Sequence, residues 1–171
     1  MLRFENGTYY KNFLDTSAIV KLVKHPDIPE DGSDNLNRYY NEPGTKFHTI
    51  DLCLGEALGV LKADSKLGNR KKLTTEGYPM LINRLVHKIK RGKLTVHSIE
   101  LADFMEDAFR IMTQAKIDFI DAVQIVFAQQ DHKYLFISGD IDLCETAENN
   151  GLEVWNCSNE ALPISNLVSY V

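Results

Sequence analysis

The sequence has few of the residues that build zinc sites or disulfide frameworks. It contains three cysteines, Cys53, Cys144 and Cys157, and none of them form a Cys-x-x-Cys pair. An odd number of dispersed cysteines argues against both a disulfide scaffold and a structural zinc site, and it makes a reducing cytoplasm the expected compartment. The five histidines are equally dispersed, without a His-Glu-x-x-His motif. Any metal that this protein binds is therefore expected on carboxylates.

Long apolar runs are also missing. No stretch approaches the roughly 20 apolar residues of a membrane-spanning helix. The first residues, Met1 to Gly7, lack the basic-then-apolar layout of a secretion signal. We therefore expect no membrane association. The hydrophobic fraction of 44% and the charged fraction of 25% are those of a globular protein, and 171 residues predict a single domain over 1–171.

The charge is low and unevenly distributed. A formal net charge of −5 by itself argues against binding to nucleic acid. However, the stretch from Gly59 to His97 carries ten Lys and Arg residues against two acidic ones, whereas the rest carries nine against twenty-two. This asymmetry is typical of a basic flank beside an acidic body. Two solvated, Lys-rich helices would give the same pattern, so the charge alone leaves both interpretations open.

Strand and helix patterns alternate along the chain. Short apolar segments predict strands at Lys11 to Leu14, Lys46 to Thr49, Leu94 to His97, Tyr134 to Ser138 and Leu152 to Asn156. Amphipathic or apolar segments predict helices at Ser17 to Lys24, Ile50 to Leu67, Gly77 to Arg91, Ile99 to Thr113, Phe119 to Gln130 and Asp142 to Asn149. This order indicates an α/β domain with a parallel sheet.

Two polar stretches interrupt this alternation. Residues His25 to Gly44 are rich in Pro, Asp, Asn and Gly with little apolar period, and Ser65 to Thr75 is polar and basic. Both are predicted to be loops or loop insertions.

Four acidic residues stand where such a fold would bring them together: Asp15, Glu56, Asp121 and Asp140. Asp15 and Asp140 follow predicted strands, and ligands of parallel sheets bind beyond the carboxyl ends of the strands. Two like charges about 4 Å apart at an effective dielectric near 20 cost about 4 kcal/mol. Because a divalent cation is the usual compensation, their convergence would point to metal chemistry.

Two of the acids lie within predicted helices. Asp121 belongs to a helix that is apolar nearly all round, and a buried carboxylate is rarely left unpaired, so a site residue is favoured over a simple dipole contact. For Asp118, three residues earlier, an N-cap is favoured. Glu56 lies off the main apolar stripe but between Leu52 and Val60, which implies a second contact surface. A surface glutamate is an equally good interpretation of Glu56 alone.

The other acids have simple structural alternatives. Asp15, taken alone, reads as the N-cap of the following helix, and Asp140 reads as a turn former in Ser138-Gly139-Asp140-Ile141-Asp142. Asp142 has the better predicted capping position, with Glu145 three residues later. The order and spacing of the acids carry more weight than any one of them.

Taken together, these segments resemble the PIN-domain nucleases, and among them the VapC-like toxins of toxin–antitoxin pairs. The resemblance rests on Phe13-Leu14-Asp15-Thr16-Ser17, on Glu56-Ala57 in a helix after a short strand, on Asp118-Phe119-Ile120-Asp121-Ala122, and on Phe136-Ile137-Ser138-Gly139-Asp140-Ile141-Asp142. It runs from about Asn12 to Asn156. It implies a three-layer α/β/α sandwich with a five-stranded parallel sheet.

The resemblance also implies a ribonuclease dependent on Mg²⁺ or Mn²⁺, whose metal-binding acids are Asp15, Glu56, Asp121 and Asp140. Oxygen ligands suit these hard cations. Ser17 and Ser138 match positions where the family often has a hydroxyl, and Asp142 is a further candidate acid. Phosphate contacts without sequence readout are expected from the basic stretch, at Lys62, Lys66, Arg70, Lys71 and Lys72.

Other functions stay open. The two long polar stretches are not typical of a compact toxin of this family, so a catalytically silent PIN-like module that serves as a scaffold is the alternative. A phospho-accepting receiver domain is disfavoured, because no lysine follows the closing strand, which runs into Asn156-Cys157-Ser158. For a VapC-like toxin, the resemblance implies RNA as substrate, a cognate antitoxin protein and a homodimer.

Overall fold

The computed structural model describes residues 11–66, 77–130 and 134–161. Within these ranges the five strands are β1 (Lys11–Leu14), β2 (Phe47–Ile50), β3 (Leu94–His97), β4 (Tyr134–Ser138) and β5 (Glu153–Asn156). The helices are α1 (Thr16–Lys24), α2 (Ser33–Asn41), α3 (Asp51–Lys66), α4 (Gly77–Lys90), α5 (Met105–Gln114), α6 (Phe119–Gln130) and α7 (Ile141–Asn149), with a 3-10 turn at Leu101–Asp103. The predicted alternation of strands and helices is confirmed.

The sheet is parallel throughout, with the strand order β3-β2-β1-β4-β5. The chain builds outward from β1 through β2 to β3, then crosses back to place β4 on the other side of β1. The strand order therefore reverses between β1 and β4. In open parallel sheets, the crevice beyond the carboxyl ends of two such strands is the usual ligand site.

Helices cover both faces of the sheet. Successive strand residues point to opposite faces, and all five residues of β4 are buried, which requires a layer on each side. The rings of Phe13 and Phe136 stack across β1 and β4 with centroids 5.4 Å apart. The arrangement is the expected three-layer α/β/α sandwich with a five-stranded parallel sheet.

The loop prediction for His25 to Gly44 was wrong over its second half, which forms α2. The polar composition of this helix hid an apolar spacing of three and four residues, because Leu36, Tyr39 and Tyr40 are all buried. The hydroxyl of Tyr39 donates a hydrogen bond of 2.8 Å to Oδ1 of Asn12 in β1. This stretch is thus packed against the sheet rather than displayed as a surface loop.

Other predicted bounds need smaller corrections. The single helix expected over Ile99 to Thr113 divides into the 3-10 turn and α5. Helix α6 has the predicted bounds. In the second polar stretch, α3 continues to Lys66, and residues 67–75 lie outside the described part. That stretch as an insertion, and a single domain over 1–171, remain predictions.

Among the described helices, none combines the length and the apolar character that crossing a lipid bilayer would need.

Candidate active site

Two of the four acids lie at the point where the strand order reverses. Asp15 directly follows β1 and caps α1, accepting a hydrogen bond of 2.7 Å from the Ala18 amide. Asp140 follows β4 and caps α7, accepting a bond of 3.0 Å from the Leu143 amide. The capping interpretation of Asp15 is therefore right, and it does not compete with a site, since the cap holds the carboxylate at the edge of the sheet.

Asp142 does not cap α7, contrary to the sequence prediction. Helix α7 begins at Ile141, so Asp140 takes the capping position and Asp142 lies in the first turn. Its side chain is exposed and is not part of the cleft described below. Because Asp140 rather than Asp142 caps the helix, accepting from the Leu143 amide, α7 begins one residue earlier than the sequence pattern indicates.

Two hydroxyl groups hold the Asp15 carboxylate. Ser138 Oγ donates to Asp15 Oδ2 at 2.8 Å, and Ser17 Oγ donates to Oδ1 at 3.0 Å. Ser138 Oγ also accepts from the Asp140 amide at 2.9 Å, and Ser17 Oγ accepts from the Gly139 amide at 2.7 Å. Both serines therefore connect Asp15 to the segment that carries Asp140.

Burial dominates the acidity of Asp15. The residue is only 2% exposed, and burial raises its pKa to about 6, although the hydrogen bonds from Ala18, Ser138 and Ser17 oppose the rise. A carboxylate in such a position is costly to ionise without a nearby positive charge.

The third acid lies on the first turn of α6. Asp121 is half-buried, and its amide donates a hydrogen bond of 2.9 Å to Oδ1 of Asp118, which serves as the expected cap. The buried amide of Gln124 donates from Nε2 to Asp121 Oδ1 at 3.3 Å. Asp121 is thus less buried than predicted, because it opens onto the cleft.

The pKa of Asp121 is raised to about 7. Burial is the largest cause, followed by repulsion from Asp118, Asp15, Glu56 and Asp140. The last three come from separate segments of the chain, so the fold brings all four acids close enough to interact electrostatically.

Glu56 reaches the same region from α3. Its Oε2 accepts a hydrogen bond of 2.5 Å from Thr16 Oγ1, at the start of α1. The predicted second contact surface of α3 is therefore its contact with α1. At one end of this contact Glu56 of α3 accepts from Thr16 of α1, and at the other end Asp64 of α3 contacts Lys24 of α1. Residues four positions apart on α3 therefore face residues four positions apart on α1.

That far end of the contact is a buried ion cluster. The side chain of Lys24 is 2% exposed, and its Nζ contacts both Asp64 and Glu30, the latter at 2.7 Å. Burial lowers the pKa of Lys24, but the hydrogen bonds to Asp64 and Glu30 and the charges of these two carboxylates raise it, and the pKa is raised on balance. Lys21, one turn earlier, donates to the Asp31 carbonyl at 3.1 Å and lies 3.7 Å from Glu30.

These groups share one cleft of about 470 Å³. Its lining includes seven carboxylates and two lysines: Asp15, Glu30, Glu56, Asp64, Asp118, Asp121, Asp140, Lys21 and Lys24. Ser17 also lines it, whereas Ser138 is fully buried behind Asp15. Both lysines contact Glu30, so the other six carboxylates dominate the charge of the cleft.

The oxygen donors of the cleft suit a hard cation, but they do not form a complete coordination site. Within residues 11–66, 77–130 and 134–161, no three Asp, Glu, His or Cys side chains form a ready-made metal site. Mg²⁺ usually keeps several waters and binds through one or two carboxylates and the phosphates of a substrate. The oxygen donors of the cleft therefore fit Mg²⁺ or Mn²⁺ better than a metal that needs a complete protein cage.

The predicted RNA-binding residues lie away from this cleft or outside the described part. Lys62 is exposed on α3, two residues from both Val60 and Asp64, so on a helix of about 3.6 residues per turn it lies on the side opposite the cleft. The backbone of Lys66 ends α3. Arg70, Lys71 and Lys72 lie outside the described residues.

Sequence reasoning missed several cleft residues: Thr16, Lys21, Lys24, Glu30 and Asp64. A signal for some of them exists. Thr16, Val20 and Lys24 are spaced by four, as are Glu56, Val60 and Asp64, and this spacing puts each set on one side of its helix. The sequence did not indicate that these two faces pack together.

The fold is a PIN-like α/β sandwich, and comparison with solved structures supports this assignment of the fold. The crystal structure of PAE2754 from Pyrobaculum aerophilum aligns with a TM-score of 0.58 at 16% identity, covering 90% of this chain and 89% of that one. The Mycobacterium tuberculosis toxin VapC20, which cleaves the sarcin-ricin loop, aligns with a TM-score of 0.57 at 16% identity, covering 82% and 95%. No protein-family model and no curated protein matches the sequence.

Proposed function

We propose that this protein is a metal-dependent nuclease that hydrolyses phosphodiester bonds of RNA in the acidic cleft. The observation that carries the proposal is that Asp15, Glu56, Asp121 and Asp140, from four separate segments of the chain, line one cleft. Their negative charges also contribute to the raised pKa of Asp121, after its burial. Carboxylates crowded in a cleft indicate a functional site, since such an arrangement costs stability without its ligand.

Asp15, Asp121 and Asp140 are proposed to hold Mg²⁺ or Mn²⁺, with Glu56 as a ligand through water. When bound, the cation would supply positive charge to the attacked phosphate and make water more acidic. Glu56 would accept the proton of the attacking water, and its hydrogen bond from Thr16 Oγ1 would hold it in place. Ser138 and Ser17 orient Asp15 through their hydroxyl groups.

The class of substrate rests on the likeness to VapC20 and on the sequence motifs. A VapC-like toxin would have RNA as its substrate, a cognate antitoxin that blocks the cleft, and a homodimeric form. We propose this role and a cytoplasmic location on that likeness. Of the two further candidate acids, Asp118 lines the cleft and could support the reaction there, whereas Asp142 does not line it.

A cleavage assay with Mn²⁺ on transfer RNA, ribosomal RNA and single-stranded DNA tests the proposal. Asp15→Asn and Asp121→Asn should each lower the rate by at least about 100-fold, the scale of losing a group that acts in the transition state. Asparagine caps helices as well as aspartate does, so Asp15→Asn should remain folded. Glu148→Gln, on the exposed side of α7, is the matched control. Undiminished cleavage in both aspartate variants would refute the assigned site.

A silent, PIN-like scaffold is the second candidate, favoured by the lack of a ready-made metal site among the described residues. Calorimetry separates the two functions. A nuclease should bind Mn²⁺ and lose that binding in Asp121→Asn, whereas a scaffold should take up no Mn²⁺ even at millimolar concentrations.

A further inference from the structure

One carboxylate bridges two lysines in the cleft. Glu30 Oε1 lies 2.7 Å from Lys24 Nζ, and Glu30 Oε2 lies 3.7 Å from Lys21 Nζ. Both lysines come from α1, and all three residues line the cleft. An anion held between two ammonium groups in a cleft has the surroundings that a bound phosphate would need.

Glu30 is the most replaceable member of this cluster. It belongs to the segment between α1 and α2, and its side chain is 28% exposed, against 2% for Lys24. If Glu30 moves away, Lys24 retains the Asp64 carboxylate and Lys21 retains the Asp31 carbonyl. Each lysine would then still have a partner, and the large cost of a buried charge without a partner would be avoided.

Lys21 extends from this cluster toward the proposed reaction centre. Its side chain passes so close to Gly139 that a Cβ added there would lie 2.4 Å from Lys21 Cε. Gly139 directly precedes Asp140, and Ser17, which binds Asp15, lies one turn before Lys21 on α1. The two-lysine cluster and the acids are therefore neighbouring parts of one surface.

We propose that Lys21 and Lys24 form a subsite for a backbone phosphate of the nucleic acid, and that Glu30 occupies it until the substrate displaces it. The nature of the ligand rests on the proposed function. In this arrangement Glu30 acts as an internal competitor, so the free cleft repels weak or short anions. The cations that hold the nucleic acid here come from the wall of the cleft itself, separately from the basic stretch after Gly59.

Fluorescence anisotropy with a short labelled single-stranded RNA, in chelator at an ionic strength of about 0.15 M, tests the subsite without cleavage. Glu30→Gln should bind the RNA about tenfold more tightly, because two lysines then become available to the phosphate. Lys21→Met should bind more weakly than wild type. In the double variant most of the gain from Glu30→Gln should disappear, since the effects of interacting residues do not add.

Glu148→Gln is the matched control, because it removes the same charge from an exposed position outside the cleft. It should change the affinity by less than about twofold, as expected for a distant, screened charge. Melting temperatures establish that each variant is folded.

Three outcomes would overturn the subsite. The first is an RNA affinity of Glu30→Gln equal to that of the wild type, including no binding by either of these two proteins. The others are an equal gain in affinity in Glu148→Gln, or a gain from Glu30→Gln that survives in the double variant with Lys21→Met. Cleavage by the wild type with no gain in Glu30→Gln would refute the subsite alone. A gain in binding without any cleavage would refute the nuclease and leave the phosphate site in place.

Discussion

Ser138 Oγ donates a hydrogen bond to Asp15 Oδ2 at 2.8 Å, joining the ends of β4 and β1 across a sequence separation of 123 positions. The pairing of Leu14 with Ile137 in neighbouring parallel strands brings the two residues to the same edge. The same hydroxyl accepts from the Asp140 amide. One buried side chain thus sets the positions of two acids.

Replacing Ser138 should therefore separate a hydroxyl effect from a packing effect. Ser138→Ala removes a bond that lowers the pKa of Asp15, so this pKa should rise above about 6 and the acid limb of the pH–rate profile should move to higher pH. Cleavage near pH 6 should fall by roughly tenfold, the scale of one bond to a charged group. Ser138→Thr keeps the hydroxyl and should keep the wild-type profile. Identical profiles for the alanine and threonine variants would contradict this role.

Asp140 and Asp142 form a matched pair two residues apart. Asp140→Asn should lose at least about 100-fold in rate while α7 stays capped, since asparagine is as good an N-cap as aspartate. Asp142→Asn, at an exposed position outside the cleft, should cleave at the wild-type rate. Cleavage rates with helicity from circular dichroism decide the matter. A comparable loss in both variants would mean that Asp142 also acts in the site.

The repulsion on Asp121 should be measurable as stability. Because its pKa is raised from 3.8 to about 7 in the folded protein, the folded state holds this proton more tightly than the unfolded chain. The free energy of unfolding should therefore fall as the pH rises through this window. In chelator above pH 7, Asp121→Asn should be more stable than wild type by at least about 1 kcal/mol, after discounting for solvent screening.

Below about pH 4 the two proteins should unfold alike, because Asp121 is then protonated in the wild type as well. Urea unfolding at both pH values provides the measurement. A variant that is less stable than wild type above pH 7 would count against the convergence of the acids.

The hydrogen bond from Thr16 to Glu56 predicts a role for a residue outside the acidic set. Thr16→Val keeps the shape of the side chain but removes the donor at 2.5 Å from Oε2. If Glu56 accepts the proton of water, cleavage should fall by about tenfold. Thr113→Val, at an exposed position on α5, should have no effect on the rate. Equal rates for the two valine variants would show that Glu56 does not depend on this contact.

Much of the fold could be predicted from the sequence. Helix α6 has its predicted bounds because its apolar residues and the Asp118 cap act locally. Strands β1, β3 and β4 also have their predicted bounds. Helix α2 was missed because its three buried apolar side chains, Leu36, Tyr39 and Tyr40, lie among polar residues. Its burial depends on contacts with distant elements, including the bond from Tyr39 to Asn12.

Apart from α2, the sequence by itself determined the order of strands and helices and the placing of four acids near their ends, because apolar periodicity and helix caps operate over a few residues. Only the tertiary structure decided that Asp140 rather than Asp142 faces the cleft and that Thr16 holds Glu56. It also decided that Lys21 and Lys24 share Glu30. These contacts depend on where α7 begins and on how α1 packs against α3, and packing joins residues that no local pattern connects.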